Sequence, residues 1–418
     1  MPAPKSNPKT NSKSNSKTNS ERLRDASRTF AADQPDAARK LLKGLPLPDS
    51  LSDRAAYLRL HRDLDMPLPD AEAALNAELA QDTNDPALAF ERAQALFLLE
   101  RPETLAAAKH AVKLAGTGPA EPTIFLLKVH LEAGRPDAAA QAILDGAQGR
   151  SKPGGLLLAG AKIMGQAGHK PQAIRLLDAA LPHQQDNMDE YNFVAAGIKG
   201  TTPSKASQSG MAEAIFDKFA GDYDTVLAKI GYSAPDLIGD LLAEMPLKKM
   251  RRLHVLDAGC GTGLCAKLLR PYAKSLHGAD ISVPMLEKAK KRKIYNDLTR
   301  SDLNAPATIP AGPFDLVVLA DVLIYFADLA PILAPLGQRL KPGGWLLFTV
   351  EDGGTLDAPG YILGASGRYK HCEDHITQAL TAAGLGRPKN LIRKTLRHEF
   401  GVPVEGLAIA AQKPMLAF

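Results

Sequence analysis

The segment Leu253 to Leu264 (LHVLDAGCGTGL) constrains the fold more than any other part of the chain. A short apolar strand closes on Asp257, glycines follow at Gly259, Gly261 and Gly263, and a helical pattern resumes over Leu264 to Leu269. The main chain must turn tightly between strand and helix, and a Cβ there would hold a ligand away from the backbone amides. A second strand, near Ser275 to Ala279, ends in Asp280, 21 residues after Gly259. From that position a carboxylate accepts hydrogen bonds from both hydroxyls of a ribose. Beyond residue 211, short β-like runs alternate with helical patterns, which predicts βαβ units and a mostly parallel sheet.

The N-terminal half obeys a different rule. Residues 21–196 are Ala- and Leu-rich at helical spacing, and Pro35, Pro69, Pro102, Pro136 and Pro171 recur at intervals of 34, 33, 34 and 35 residues. Each opens a similar phrase: PDAARKLL, PDAEAALN, PETLAAAK, PDAAAQAI, PQAIRLLD. Proline in the first turn needs no backbone donor, and an acidic residue beside it suits the positive helix end, so each phrase is expected to start a helix. The period and the paired helices resemble tetratricopeptide repeats, which bury a continuous core and leave a groove for a protein partner. Residues 197–210 (GIKGTTPSKASQSG) read as a linker to a domain spanning 211–418.

The formal net charge is +5, but residues 1–20 hold Lys5, Lys9, Lys13 and Lys17 and no acid, so this tail supplies four of those charges. The tail reads as disordered, because nothing in it can be buried to offset the entropy of ordering. The near-neutral remainder argues against a dedicated nucleic-acid surface. Cys260, Cys265 and Cys372 have no disulfide or zinc spacing, and no apolar run suits a signal peptide or a membrane span, so a cytoplasmic protein without a metal is expected.

Five segments in order carry a family resemblance. The third glycine of D-A-G-C-G-T-G falls one position too early for a dinucleotide-binding G-x-G-x-x-G, because Leu264 stands where the last glycine belongs. With an acid closing the first strand, this segment resembles the first motif of class I S-adenosylmethionine-dependent methyltransferases. Asp280, Ser301-Asp302-Leu303, Phe314 to Leu323, and Leu340-Lys341-Pro342-Gly343-Gly344-Trp345 are similar to its later motifs. Phe216-Asp217-Lys218-Phe219, Tyr223-Asp224 and Ser366 to His371 resemble a bacterial subgroup that joins such a domain to tetratricopeptide repeats.

The resemblance implies a tetratricopeptide-like helical domain followed by a Rossmann-like seven-stranded domain of order 3-2-1-4-5-7-6, its last two strands near Leu391 to Arg397 and Gly406 to Gln412. It implies S-adenosyl-L-methionine as cofactor. Asp257, Gly259 and Gly261 would contact the methionine part, Asp280 the ribose, and Asp302 with Leu303 the adenine. Ile281 and Met285 either flank the adenine or pack as core. Asp321 lies either where acceptor and methyl group meet or at a helix N-cap. His371, four residues before His375 at the expected start of a helix, is the candidate general base, with a structural histidine as the alternative. Tyr223, Tyr325 and Tyr369 are candidate walls or lids with core packing as the alternative, and Arg368 and Lys218 are candidate partners for a substrate carboxylate.

Ala320-Asp321-Val322-Leu323 replaces the Asn/Asp-Pro-Pro-Tyr/Phe cluster that orients planar amino groups, which disfavours bases and amides. The expected reaction is therefore methyl transfer to an oxygen or nitrogen of a small molecule. The rival readings are a protein acceptor docked on the repeats and an interaction module with a cofactor-binding but inactive domain.

Overall fold

The computed structural model describes residues 18–31, 34–66, 71–81, 83–185, 188–201, 203, 213, 216, 217, 220, 221, 223–399 and 402–415. The chain divides into two compact units, Met1–Ser151 and Lys152–Phe418.

The first unit is helical: α1 (Asn19–Ala31), α2 (Pro35–Leu42), α3 (Leu51–Asp63), α4 (Ala71–Leu79), α5 (Pro86–Leu98), α6 (Thr104–Ala115), α7 (Glu121–Glu132) and α8 (Pro136–Ala147). The even-numbered helices are the five-phrase series as far as it runs here. Pro35 and Pro136 stand at the first helical position, whereas α6 begins two residues after Pro102, and Pro69 lies outside the described residues. Each pairs with the helix before it. Ser50 and Asp85 cap α3 and α5 by accepting from the Asp53 and Leu88 amides at 3.1 and 2.9 Å. Small Ala93, Ala107 and Ala108 let Leu58, Leu75, Leu96 and Leu126 close into one core.

The second unit opens with three more helices, α9 (Gly154–Gln166), α10 (Lys170–Ala180) and α11 (Met188–Lys199). Sequence reading placed the change of domain at 197–210, yet residues up to Lys199 are helical, and most of the expected linker lies outside the described residues. The reason these helices belong here is packing. Phe193 and Ala196 of α11 share an apolar cluster with Ile324, Tyr325, Leu363 and Tyr369, and a Cβ at Gly197 would collide with the Gly364 carbonyl oxygen.

Helices α12 (Tyr223–Lys229) and α13 (Ala234–Glu244) lead into the sheet. Its strands are β1 (Leu253–Ala258), β2 (Ala273–Asp280), β3 (Asp297–Arg300), β4 (Phe314–Leu319), β5 (Leu340–Asp352), β6 (Tyr361–Leu363), β7 (Tyr369–His371), β8 (Asn390–Glu399) and β9 (Val402–Gln412). Strands β3, β2, β1, β4 and β5 are parallel in that spatial order. The far edge of β5 pairs antiparallel with β9 along Trp345 to Glu351, and β9 with β8, so the two expected late strands are present. Among the described residues the sheet nevertheless has nine strands rather than seven, because the hairpin β6–β7 joins the C-terminal end of β5 through Glu351 and Asp352. The expected turn Leu340 to Gly344 is likewise part of β5, absorbed as a register shift against β4.

Connecting helices α14 (Ala266–Leu269), α15 (Val283–Lys291), α16 (Ala330–Arg339) and α17 (Glu373–Ala382) complete the unit. Leu256, Val317, Leu319, Leu346 and Phe348 pack under Leu333, Leu336 and Leu380, whereas Val255, Leu316, Val318 and Leu347 pack under Leu237, Ile238 and Leu241. Both faces of the central strands are therefore buried, which explains their nearly uninterrupted apolar runs. Among the described residues, no helix is long and apolar enough to cross a membrane.

Candidate active site

The C-terminal ends of β1, β2 and β4 converge on a solvent-open cavity. Ligands in open α/β sheets bind at this edge, where the strand order reverses between β1 and β4. Gly259, Gly261, Asp280 and Ile281 line one wall, and Ser301, Asp302 and Leu303 the next. Tyr223, Asp321, Val322, Tyr325, Phe216 and Phe326 close the other end. A narrower adjoining pocket shares Tyr223, Gly259 and Gly261 and is bordered by Asp257.

Asp280 ends β2 with its carboxylate already oriented. One oxygen accepts from the Gly261 amide at 2.7 Å and the other from the Ser282 amide at 3.0 Å. Burial raises its pKa, and the amides of Ser282, Gly261 and Ile281 act against that rise. A carboxylate has about four acceptor positions, so capacity for a ribose hydroxyl remains. Asp257, 1% exposed, is pushed up to about 7 by burial, although the Tyr295 hydroxyl, donating at 2.6 Å, favours the carboxylate. Gly261 has φ +52°, and a Cβ there would project into open space on the cavity wall. These are the features of a cradle for a nucleoside-bearing cofactor: a backbone that a ligand can approach closely, with a carboxylate fixed at ribose distance along the chain. Asp302 holds its own loop, accepting from the Asn304 amide at 2.8 Å.

The aromatic end is pinned to these loops. Asp217 accepts from the Ser282 hydroxyl at 2.5 Å and Asp224 from the Thr262 hydroxyl at 2.6 Å, and their neighbours Phe216 and Tyr223 thereby face the cavity. Phe216 stands edge-to-face with Tyr325 (centroids 5.5 Å apart) and with Tyr223 (6.1 Å). Burial raises the pKa of both tyrosines, so both are protonated phenols at neutral pH. Lys218 lies outside the described residues.

Asp321 follows β4 with φ +59°, a left-handed conformation that aspartate tolerates better than most side chains. Its amide donates to the Thr349 hydroxyl at 2.8 Å. It caps no helix: the 3-10 turn Leu323–Tyr325 starts from Val322 without a side-chain cap. Instead, both carboxylate oxygens accept from one nitrogen of Arg397, at 3.2 and 3.3 Å. Arg397 on β8 is 1% exposed and also binds Glu351 and Glu399, the latter at 2.8 Å. No local pattern in the chain signals this cluster.

Four expected site residues are elsewhere. Met285 is fully buried on α15 and does not line the cavity, because its helical position points into the core. Tyr369 is buried in the cluster with Phe193 and Leu363 rather than forming a lid. Arg368 does not itself line the cavity; it is ion-paired with Glu399 and bonds the lining Tyr325 from behind. His371 ends β7 instead of starting a helix, is 0% exposed, and stacks on His375 with ring centroids 5.3 Å apart. Burial and the His375 charge depress it to about 3, so it is a neutral packed ring that does not line the cavity.

A family model described as a methyltransferase domain matches residues 231–387. The chain is 38% identical over 139 residues to human Methyltransferase-like protein 27, an alignment covering 32% of this chain and 56% of that protein. It is 36% identical over 125 residues to trans-aconitate 2-methyltransferase of Rhizobium leguminosarum bv. trifolii, covering 29% of this chain and 46% of that one. The chain thus spans about half the length of the curated relatives it matches. Among solved structures, the N-methyltransferase NodS of Bradyrhizobium japonicum, in complex with S-adenosyl-L-homocysteine, aligns with 22% identity over 43% of this chain and 85% of that one, with a TM-score of 0.34. The family model and the curated relatives, with the motifs and the cavity at the ends of β1, β2 and β4, identify a class I S-adenosylmethionine-dependent methyltransferase domain within the second unit.

Proposed function

We propose that the protein transfers a methyl group from S-adenosylmethionine to an oxygen or nitrogen of a small-molecule acceptor. The observation that carries this reading is the single cavity joining the Asp280 and Asp302 walls to the aromatic end formed by Phe216, Tyr223 and Tyr325. When bound, S-adenosylmethionine supplies an electrophilic methyl carbon on a cationic sulfur. Asp257, Gly259 and Gly261 would hold the methionine part, Asp280 the ribose, and Asp302 with Leu303 and Ile281 the adenine. The aromatic end would align the acceptor and keep water from it, the two contributions an in-line displacement most needs. Asp321, among the described lining residues, is the carboxylate beside Tyr325 and Val322.

We further read the helical hairpins as tetratricopeptide-like repeats. Their support is the 34-residue proline series, with helices starting at or within two residues of Pro35, Pro102, Pro136 and Pro171.

Incubating the full chain with methyl-labelled S-adenosylmethionine and the small-molecule filtrate of a lysate should release S-adenosylhomocysteine and label a metabolite. Release only with the protein fraction would overturn the small-molecule acceptor.

A further inference from the structure

The acceptor end of the cavity has a chemistry more selective than an unspecified oxygen or nitrogen. Resting on the methyltransferase reading above, we propose that the acceptor atom is the nitrogen of a small amine, received beside the Asp321 carboxylate within the Phe216, Tyr223 and Tyr325 walls.

Three observations support this independently. First, Asp321 is not consumed by its partner. Arg397 reaches it with one nitrogen shared between both oxygens at 3.2 and 3.3 Å, while the same guanidinium makes a tighter 2.8 Å bond to Glu399 and a further one to Glu351. A carboxylate has about four acceptor positions, so this one retains capacity on the side that lines the cavity. Second, the walls are rings meeting edge-to-face at 80°, so their faces turn in different directions around one corner. Ring faces attract cations, and the attraction grows as water is excluded. Third, the described residues lining the cavity include Asp280, Asp302 and Asp321 but no lysine, arginine or histidine. Two guanidinium groups, Arg397 bonded to Asp321 and Arg368 bonded to Tyr325, stand behind this lining, so at the surface itself a carboxylate acceptor would meet Asp321 first, and an alcohol or phenol would find no neutral imidazole among the described lining residues to take its proton.

An amine fits on all three counts. It enters as the ammonium, sheds one proton to water and presents its lone pair. The nitrogen lone pair forms the new N–CH3 bond as the S–CH3 bond breaks and leaves its electron pair on sulfur. The methylated ammonium so produced carries the positive charge formerly on sulfur, and the Asp321 carboxylate and the ring faces stabilise that charge as it develops on nitrogen.

Benzylamine, benzyl alcohol and benzoate share a ring and differ in charge, and they can be titrated calorimetrically into the full chain saturated with S-adenosylhomocysteine. Benzylammonium should bind at least about tenfold more tightly than benzoate, the factor of one favourable charge contact. Asp321→Asn should lower benzylammonium affinity about tenfold while S-adenosylhomocysteine affinity stays within about twofold. Because Asp321→Asn weakens a buried ion-pair cluster, Phe216→Leu provides a second variant, with a severalfold loss for benzylammonium expected. Preference for benzoate or the alcohol, no binding of any probe to the loaded protein, or unchanged benzylammonium affinity in both variants would overturn the proposal. Failure of S-adenosylhomocysteine itself to bind would instead overturn the methyltransferase reading beneath it.

Discussion

The side-chain amide of Gln166, on helix α9, donates to the carboxylate of Glu399, on strand β8, at 3.0 Å across 233 residues of sequence. Glu399 in turn binds Arg368 and Arg397, and Arg397 binds Asp321 at the cavity. Helix α9 thus touches the charge cluster that holds an active-site carboxylate.

Cutting the chain should reveal this dependence. A fragment starting at Lys152 retains α9 to α11 and should melt cooperatively and bind S-adenosylhomocysteine. A fragment starting at residue 211 uncovers Tyr369 and Leu363 and loses their contacts with Phe193 and Ala196. Re-exposing side chains of this size costs roughly 1.5–3 kcal/mol each. The shorter fragment should therefore melt well below the longer one, and equal melting temperatures by calorimetry would contradict the packing described.

Arg397 should be the most sensitive charged residue. Replacing it by alanine leaves Glu351 buried without its ion-pair partner, takes one of two arginines from Glu399 and frees Asp321. Breaking a buried pair from one side typically costs about 3–5 kcal/mol. Urea denaturation of Arg397→Ala should register a loss of this order, whereas Arg393→Ala, at a half-exposed pair, should lose at most about 1 kcal/mol.

Cofactor affinity should depend on pH through Asp257. Its pKa, near 7 in the free protein, lies above the ordinary carboxylate value chiefly because of burial. A group raised on folding stabilises the fold fully below its unfolded pKa and loses that contribution as pH rises through the folded value. A bound α-ammonium favours the carboxylate, so binding should release a proton below pH 7. The affinity for S-adenosylhomocysteine should rise by up to about tenfold per pH unit below 7 and level off above it. Asp257→Asn should flatten the profile, which titrations at several pH values would check.

His371 should matter for acid stability and not for chemistry. Its folded pKa of about 3 lies below its unfolded value, so the unfolded chain takes the proton first, and stability falls as pH drops from about 6.5 towards 3. The effect should be on the order of 2 kcal/mol at pH 5. His371→Phe should remove that sensitivity and leave S-adenosylhomocysteine affinity at pH 7.5 within about twofold. A large loss of affinity at neutral pH would contradict the placement of this ring in the core.

What could be read in the sequence was local. The strand ending at Asp257, the glycine turn and Asp280 announce themselves within about thirty residues, and the proline series marks helix starts by backbone chemistry alone. The rest depends on distant contacts. Arg397 sits in a polar run, Arg393-Lys394-Thr395-Leu396-Arg397-His398-Glu399, that looks solvated, and its partners Glu351 and Asp321 are 46 and 76 residues away. His371 was legible only as a helical partner of His375, because strands of three residues such as β6 and β7 leave almost no periodic signal. Gly197 resembled a linker residue because a close helix-to-hairpin approach and a flexible connection ask for the same side chain.

The central claim is that the cavity beside Asp280 binds the methyl donor and its product. Calorimetric titration of S-adenosylhomocysteine into the full chain and into Asp280→Ala tests it most directly. The wild type should bind one equivalent, and the variant, lacking two hydroxyl contacts to a charged group and the acceptor of the Gly261 amide, should bind at least about tenfold more weakly. Equal affinity in the two proteins would contradict the assignment.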